Sequence, residues 1–198
     1  MNNTLVKFWG KVITAIIYRQ KRIEILNLKL LPNVSIHNSF YVGAGTYFIT
    51  ENGIKELRIG ENVVARKCCN FVLHPGASLI INDGVFLNNY CSISCLGTIE
   101  IGKNTMLGEG VKIYDHNHTY SYNDAGVLNI DRDNFTVGNV KIGNDCWIGS
   151  NVTILNNVEI GDNVIIGANC LIYKNVKSNS IVKSNNTVSV SDSNVNTK

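Results

Sequence analysis

The sequence predicts an all-β fold, a parallel β-helix of hexapeptide repeats with a short N-terminal helix and one long loop excursion. Three observations carry that expectation. Ile142, Ile148, Ile154, Ile160, Ile166 and Ile172 fall at intervals of six, and Gly143, Gly149, Gly161 and Gly167 follow four of them. Four places after each stands a small residue: Cys146, Val152, Val158, Val164, Cys170 and Val176. The same register returns upstream in the pairs Ile59/Ala65, Ile81/Leu87 and Ile101/Leu107. Neither a helix nor a strand has this period. A short fixed period is the signature of a solenoid whose coils stack on one another.

Taken in chain order, residues 1–22 form the first element. Leu5, Phe8, Trp9, Val12, Ile16 and Ile17 recur at helical spacing, with Lys7, Lys11, Arg19, Lys21 and Arg22 between or after them. Two readings stand: a helix that packs on the first coil and covers its open edge, or a basic amphipathic helix that touches a membrane surface. A cleaved signal peptide is not expected, because the apolar run is short and no small-residue cleavage site follows. Residues 23–183 form the solenoid, irregular up to residue 58 and then with coils starting at Ile59, Ile81, Ile101, Ile142 and Ile160. In each hexad a large aliphatic side chain points inward and a small one fills the corner. Gly, Asn and Asp between them tolerate positive φ and close backbone approach. The excursion 114–140 is too long for a solenoid corner, and loops of that size carry function or are disordered. Residues 184–198 are rich in Ser, Asn and Thr and predict a flexible tail.

A chain of 198 residues suffices for one domain with a continuous core, and a net charge of +3 gives no case for nucleic acid. No segment is long and apolar enough to span a membrane. Cys69, Cys91, Cys146 and Cys170 occupy the small inward position, as buried small hydrophobes. Cys68 and Cys95 lie outside that row, and no pair has C-x-x-C spacing. This usage fits a reducing cytoplasm.

The run Ile142-Gly-Asn-Asp-Cys-Trp-Ile-Gly-Ser, followed by Ile160-Gly-Asp-Asn-Val-Ile-Ile-Gly-Ala-Asn-Cys, resembles the hexapeptide-repeat acyltransferases. The similarity is greatest to the maltose, galactoside and nodulation acetyltransferases and the capsule and O-antigen O-acetyltransferases. It covers roughly residues 57–183. The resemblance implies a left-handed β-helix, which general crossover rules would not suggest. It also implies a homotrimer with acetyl-coenzyme A bound between neighbouring subunits and a glycan or small sugar as acceptor.

The long excursion opens Val111-Lys-Ile-Tyr114-Asp115-His116-Asn117-His118. The resemblance puts the family's catalytic histidine on His118, with His116 as its near neighbour. It makes Asn88 a residue that positions the reacting groups. Trp147, Gly149 and Ser150 match the segment lining the site where thioester and acceptor meet, and Gly167 and Ala168 match positions along the pantetheine arm. Lys174, Lys177 and Lys183 are either partners for the coenzyme phosphates or ordinary solvated lysines. Asp115 is either a turn former or a partner that orients His118. Tyr114, Tyr120 and Tyr122 either stack on a sugar or pack the loop. One departure is plain: the family's closing Gly-Asn-Pro-Ala-Lys is replaced by Ser184-Asn185-Asn186-Thr187.

Acyl transfer to a hydroxyl needs a base, which a histidine supplies near neutral pH, and donors for the charge growing on the carbonyl oxygen. Two other functions fit the same fold. A non-catalytic solenoid would have no reason to interrupt its coils with a histidine-bearing loop. A metal enzyme like the γ-class carbonic anhydrases would need His74 to join His116 and His118, and the spacing does not match that class. The expectation is therefore a cytoplasmic O-acetyltransferase, with a possible peripheral contact at the inner membrane face and no metal.

Overall fold

The computed structural model describes residues 3–184. Helix α1 (Asn3–Leu28) leads into six coils of three short strands each. The first coil holds β1 (Val34–Ile36), β2 (Tyr41–Val42) and β3 (Tyr47–Thr50), and the second β4 (Glu56–Ile59), β5 (Val64–Ala65) and β6 (Asn70–Leu73). The third holds β7 (Ser78–Ile81), β8 (Phe86–Leu87) and β9 (Ser92–Cys95), and the fourth β10 (Thr98–Ile101), β11 (Met106–Leu107) and β12 (Lys112–Tyr114). A hairpin of β13 (His116–Tyr122) and β14 (Leu128–Val137) interrupts the stack. The fifth coil follows as β15 (Asn139–Ile142), β16 (Trp147–Ile148) and β17 (Thr153–Ile154), and the sixth as β18 (Val158–Ile160), β19 (Ile165–Ile166) and β20 (Leu171–Ile172). Strand β21 (Ile181–Val182) begins a further turn.

Corresponding strands pair in parallel and form the three faces of a prism. The first face runs β1-β4-β7-β10-β15-β18, the second β2-β5-β8-β11-β16-β19-β21 and the third β3-β6-β9-β12-β17-β20. Register is set by the hexad. Ile36, Ile59, Ile81, Ile101, Ile142 and Ile160 stack in one ladder. Ala65, Leu87, Leu107, Ile148 and Ile166 form the second. Phe71, Ile93, Ile113, Ile154 and Ile172 form the third. Nearly all are fully buried. Each Ile, Leu or Phe among them contributes about 1.5–3 kcal/mol by leaving water. The predicted row Cys69, Cys91, Cys146 and Cys170 is buried too, and all six cysteines are free.

Two backbone demands explain the residues between the ladders. At the corner after the first face, Asn62, Asn104, Asp145, Asn163 and Asn179 take φ of 54–61°. Their short polar side chains tolerate that region and tie one coil to the next, as in Asn104 Nδ2 to Asp145 Oδ1 at 3.1 Å. Glycine after the ladder isoleucine answers a different need. A Cβ on Gly149 would stand 2.6 Å from the Ala168 nitrogen, so the coils could not close.

Three features differ from the sequence expectation. The helix runs to Leu28 rather than 22. Residues 34–50 form a regular first coil, with Val42 and Phe48 at ladder positions where the last coils carry Ile. The excursion 114–140, expected as a long loop that carries function or is disordered, is an antiparallel hairpin. Among the described residues, no helix is long and apolar enough to cross a membrane. The expected flexible tail lies almost wholly outside the described residues.

Candidate active site

The predicted site residues fall on two different edges of the prism. Asn88, Gly149, Gly167 and Lys183 follow the ladder residues Leu87, Ile148, Ile166 and Val182, so they stack at the corner between the second and third faces. Trp147 lies on the same edge, in register with Met106 and Ile165, and is 52% exposed. Ser150 is half-buried and Ala168 exposed beside them. Tyr114, Asp115, His116 and His118 come instead after the third face, at the root of the hairpin. Lys174 is at that edge too, two residues past Ile172. The step of six positions from Gly149 to Leu155, along the third face, spans roughly 20 Å at strand rise. Within one chain the two sets of predicted site residues therefore start from different edges of the prism.

At the second-to-third corner, the Gly149 and Gly167 N–H groups are already committed, to Ile166 O at 2.7 Å and Val182 O at 2.8 Å. Ser150 and Ala168, one place further on, donate their N–H to no protein group among the described residues. They lie at adjacent levels of the stack, beneath Gly108 and Gly149. The Asn88 amide oxygen accepts from Arg66 Nη1 at 3.2 Å and from the Asn89 N–H at 2.9 Å. Lys174 and Lys183 are exposed, and Lys174 Nζ lies 5.4 Å from the centroid of the Tyr173 ring.

At the hairpin root the chemistry is denser. His118 is exposed, and its Nδ1 lies 3.2 Å from the carbonyl oxygen of Asp131. A carbonyl only accepts, so Nδ1 carries the proton in that contact, and in the neutral ring the lone pair is on Nε2. The ring rests on Phe135, with centroids 4.6 Å apart. The register makes this possible. His118 pairs with Phe135 and Tyr120 with Ile130, so residues 131–134 bulge out opposite Thr119. Asp131 fastens the bulge by accepting the N–H groups of Asp133 and Asn134 at 3.0 and 3.1 Å, and Asn134 Nδ2 at 2.7 Å. The Asn134 amide foremost, then the Asp133 N–H, holds the Asp131 carboxyl below the usual aspartate range.

Asp115 is fully buried and anchors the hairpin. Its carboxylate accepts the N–H groups of Leu96 and Gly97 at 2.9 and 2.8 Å, lies 3.3 Å from Cys95 Sγ and meets His116 Nδ1 at 3.0 Å. Burial foremost, and Asp115 next, push the Cys95 thiol up. Asp115 therefore pairs with His116, while a main-chain carbonyl orients His118. His74 also comes here, with its ring 6.2 Å from that of His116 and its Nδ1 3.0 Å from Glu51. Among the described residues no three His, Cys, Asp or Glu side chains form a group able to hold a metal.

Sequence reasoning missed the Asp131 bulge, Phe135 and the His74–Glu51 pair. The signal for the hairpin was the turn Asn123-Asp-Ala-Gly126, in which Asn123 Oδ1 accepts the N–H groups of Ala125 and Val127.

Comparison with known proteins agrees with this architecture. The family model described as bacterial transferase hexapeptide (six repeats) matches residues 139–174. The Escherichia coli (strain K12) protein WbbJ, provisionally named a lipopolysaccharide biosynthesis O-acetyl transferase, is 31% identical over 134 residues. That match takes in 66% of this chain and 67% of WbbJ. The crystallographic structure of the polysialic acid O-acetyltransferase OatWY is similar at 26% identity with a TM-score of 0.50, over 75% of this chain and 79% of that one. A Vibrio cholerae O1 biovar eltor hexapeptide-repeat acetyltransferase, VCA0836, solved with acetyl-coenzyme A, shares the fold at 21% identity and a TM-score of 0.52. That likeness covers 63% of this chain and 64% of the length of VCA0836. The chain therefore belongs to the bacterial hexapeptide-repeat acyltransferases.

Proposed function

We propose that this protein is an O-acetyltransferase that moves the acetyl group of acetyl-coenzyme A to a sugar hydroxyl of a surface-polysaccharide precursor, with His118 as general base. The observation that carries the reading is the Nδ1 contact of His118 with Asp131 O, which occupies one ring nitrogen of an exposed imidazole and leaves Nε2 for the acceptor. Nε2 takes the proton of the acceptor hydroxyl as the oxygen attacks the thioester carbonyl. The carbon–sulfur bond then breaks, and the same imidazole returns the proton to the departing thiolate. No covalent enzyme intermediate is needed, and alignment in a ternary complex supplies much of the rate.

The unpaired N–H groups of Ser150 and Ala168 suit the acyl donor: one faces the carbonyl oxygen as charge grows, and the other holds the pantetheine arm. Trp147 walls the cleft and Asn88 orients the acceptor. Lys174 and Lys183 meet phosphates. Because the base and these donors occupy different edges, the site is assembled between subunits, most simply in a homotrimer. The surface-glycan acceptor is supported by the names of WbbJ and OatWY.

The test is free-thiol release from acetyl-coenzyme A over a panel of sugars, sugar nucleotides and lipid-linked sugars, for wild type beside His118→Ala and His116→Ala. Acceptor-dependent release that only His118→Ala abolishes supports the reading. Equal release from wild type and His118→Ala would refute His118 as base.

A further inference from the structure

Helix α1 carries an apolar stripe that the solenoid does not use. Its contact with the core is made at its C-terminal end, by Ile25 and Leu28. A groove of about 840 Å³ beside that contact is lined by Arg19, Arg22, Ile25, Lys29, His37 and Phe40, among others. Upstream, Phe8, Trp9, Ile13 and Ile16 are each 55–59% exposed, and Val6 and Ile23 are about half exposed. At about 100° per residue, Trp9, Ile13, Ile16 and Ile23 fall within roughly 80° of one another around the helix. Ile25 and Leu28 fall roughly 100–170° away from the centre of that stripe. The exposed stripe therefore faces away from the solenoid and does not cover its open edge.

Charge identifies what the stripe meets. Lys7, Lys11, Arg19, Lys21 and Arg22 are the charged residues of the first 23 positions, and Glu24 is the first acid. Lys7, Lys11 and Arg22 lie on the side opposite the stripe. An apolar face with an aromatic residue, opposite a polar face whose charges are all cationic, is the pattern of a helix lying in a lipid interface. A second copy of the helix, packed stripe on stripe, supplies no acid from the first 23 positions to meet these cations, whereas an anionic bilayer surface does. The segment Val6–Ile23 would be about 27 Å long. It is not apolar enough to cross a bilayer.

We infer that α1 docks this protein flat on an anionic bilayer surface, with Trp9, Ile13 and Ile16 in the lipid interface and the solenoid held on the far side. This inference is independent of the acetyl-transfer reading, since neither His118 nor the Ser150–Ala168 corner takes part.

The test is co-sedimentation of the full chain with phosphatidylcholine vesicles, with and without phosphatidylglycerol, at low and high salt. Light scattering runs alongside. The expected result is binding to the anionic vesicles at least about tenfold tighter than to neutral ones, weakened by salt. Ile13→Glu with Ile16→Glu abolishes it, and Lys7→Gln with Lys11→Gln removes the preference for anionic lipid. Both pairs of positions are exposed, so the solenoid should melt as wild type. Equal affinity for neutral and anionic vesicles, or no binding, would overturn the inference. So would a loss of oligomers in the Ile13→Glu/Ile16→Glu variant without any vesicle binding in wild type, which would assign the stripe to self-association.

Discussion

His118 Nδ1 sits 3.2 Å from the main-chain oxygen of Asp131, and that oxygen is there because residues 131–134 leave the hairpin ladder opposite Thr119. The orientation of the proposed base is thus set by a backbone carbonyl, whose position depends on how firmly the bulge is tied.

Asp131 ties it, so Asp131→Ala should lower kcat about tenfold while thermal stability stays near wild type. The sign of the pH effect follows from the depressed carboxyl. The stabilisation Asp131 gives the bulge is present above the ordinary aspartate value and is lost as pH falls through the lower folded value. Amide exchange at Asp133 and Asn134, corrected for intrinsic rate, should stay slow on acidification through the normal aspartate range and accelerate only below it. Acceleration already above that range would contradict the assignment.

Asp115 is a stability prediction. Removing its carboxylate leaves the half-buried Leu96 and Gly97 N–H groups and His116 without their acceptor. Asp115→Ala should cost about 3 kcal/mol in urea unfolding. Asp115→Asn should cost less, because the amide oxygen keeps part of the network. A change below about 0.5 kcal/mol for Asp115→Ala would show that the hairpin root is held by other contacts.

Gly149 separates coil stacking from ligand contact. Its N–H is already bonded to Ile166 O, and an added methyl would press on the Ala168 nitrogen at 2.6 Å. Gly149→Ala should therefore lower stability by about 1–3 kcal/mol, read as a fall in melting temperature. A variant that melts like wild type but binds coenzyme weakly would move Gly149 from the stack to the ligand.

The split of the site over two edges predicts complementation. His118→Ala lacks the base. Ala168→Trp fills the other corner at an exposed position. Each alone should be inactive, yet equimolar co-refolding should restore up to about a quarter of wild-type activity, because random assembly rebuilds that share of intact interfaces. No recovery in mixed oligomers, with full activity of an isolated monomer, would contradict the shared site.

The stacked part of the fold was legible because each coil repeats the same demand: one aliphatic residue inward, one small residue at the corner. Ile142 to Ile172 state it without interruption. The first coil was harder, because Tyr41-Val42 and Tyr47–Thr50 meet the same register with residues that stand half-exposed near the open edge. His118, Asn88 and Trp147 came from family resemblance, and their chemistry was not visible in the repeat. The Asp131 bulge could not be foreseen, since one register shift between His118 and Tyr120 decides which carbonyl faces the imidazole. Asp115 was also ambiguous. Burial gives it its role, and nothing in Tyr114-Asp115-His116 announces that the backbone of Leu96 and Gly97 folds over it.

The most direct measurement is steady-state thiol release from acetyl-coenzyme A with a productive acceptor, comparing wild type with His118→Ala. The account predicts a fall in kcat of about 10²–10⁴-fold with unchanged folding and coenzyme binding. A variant that keeps wild-type turnover would contradict His118 as the general base.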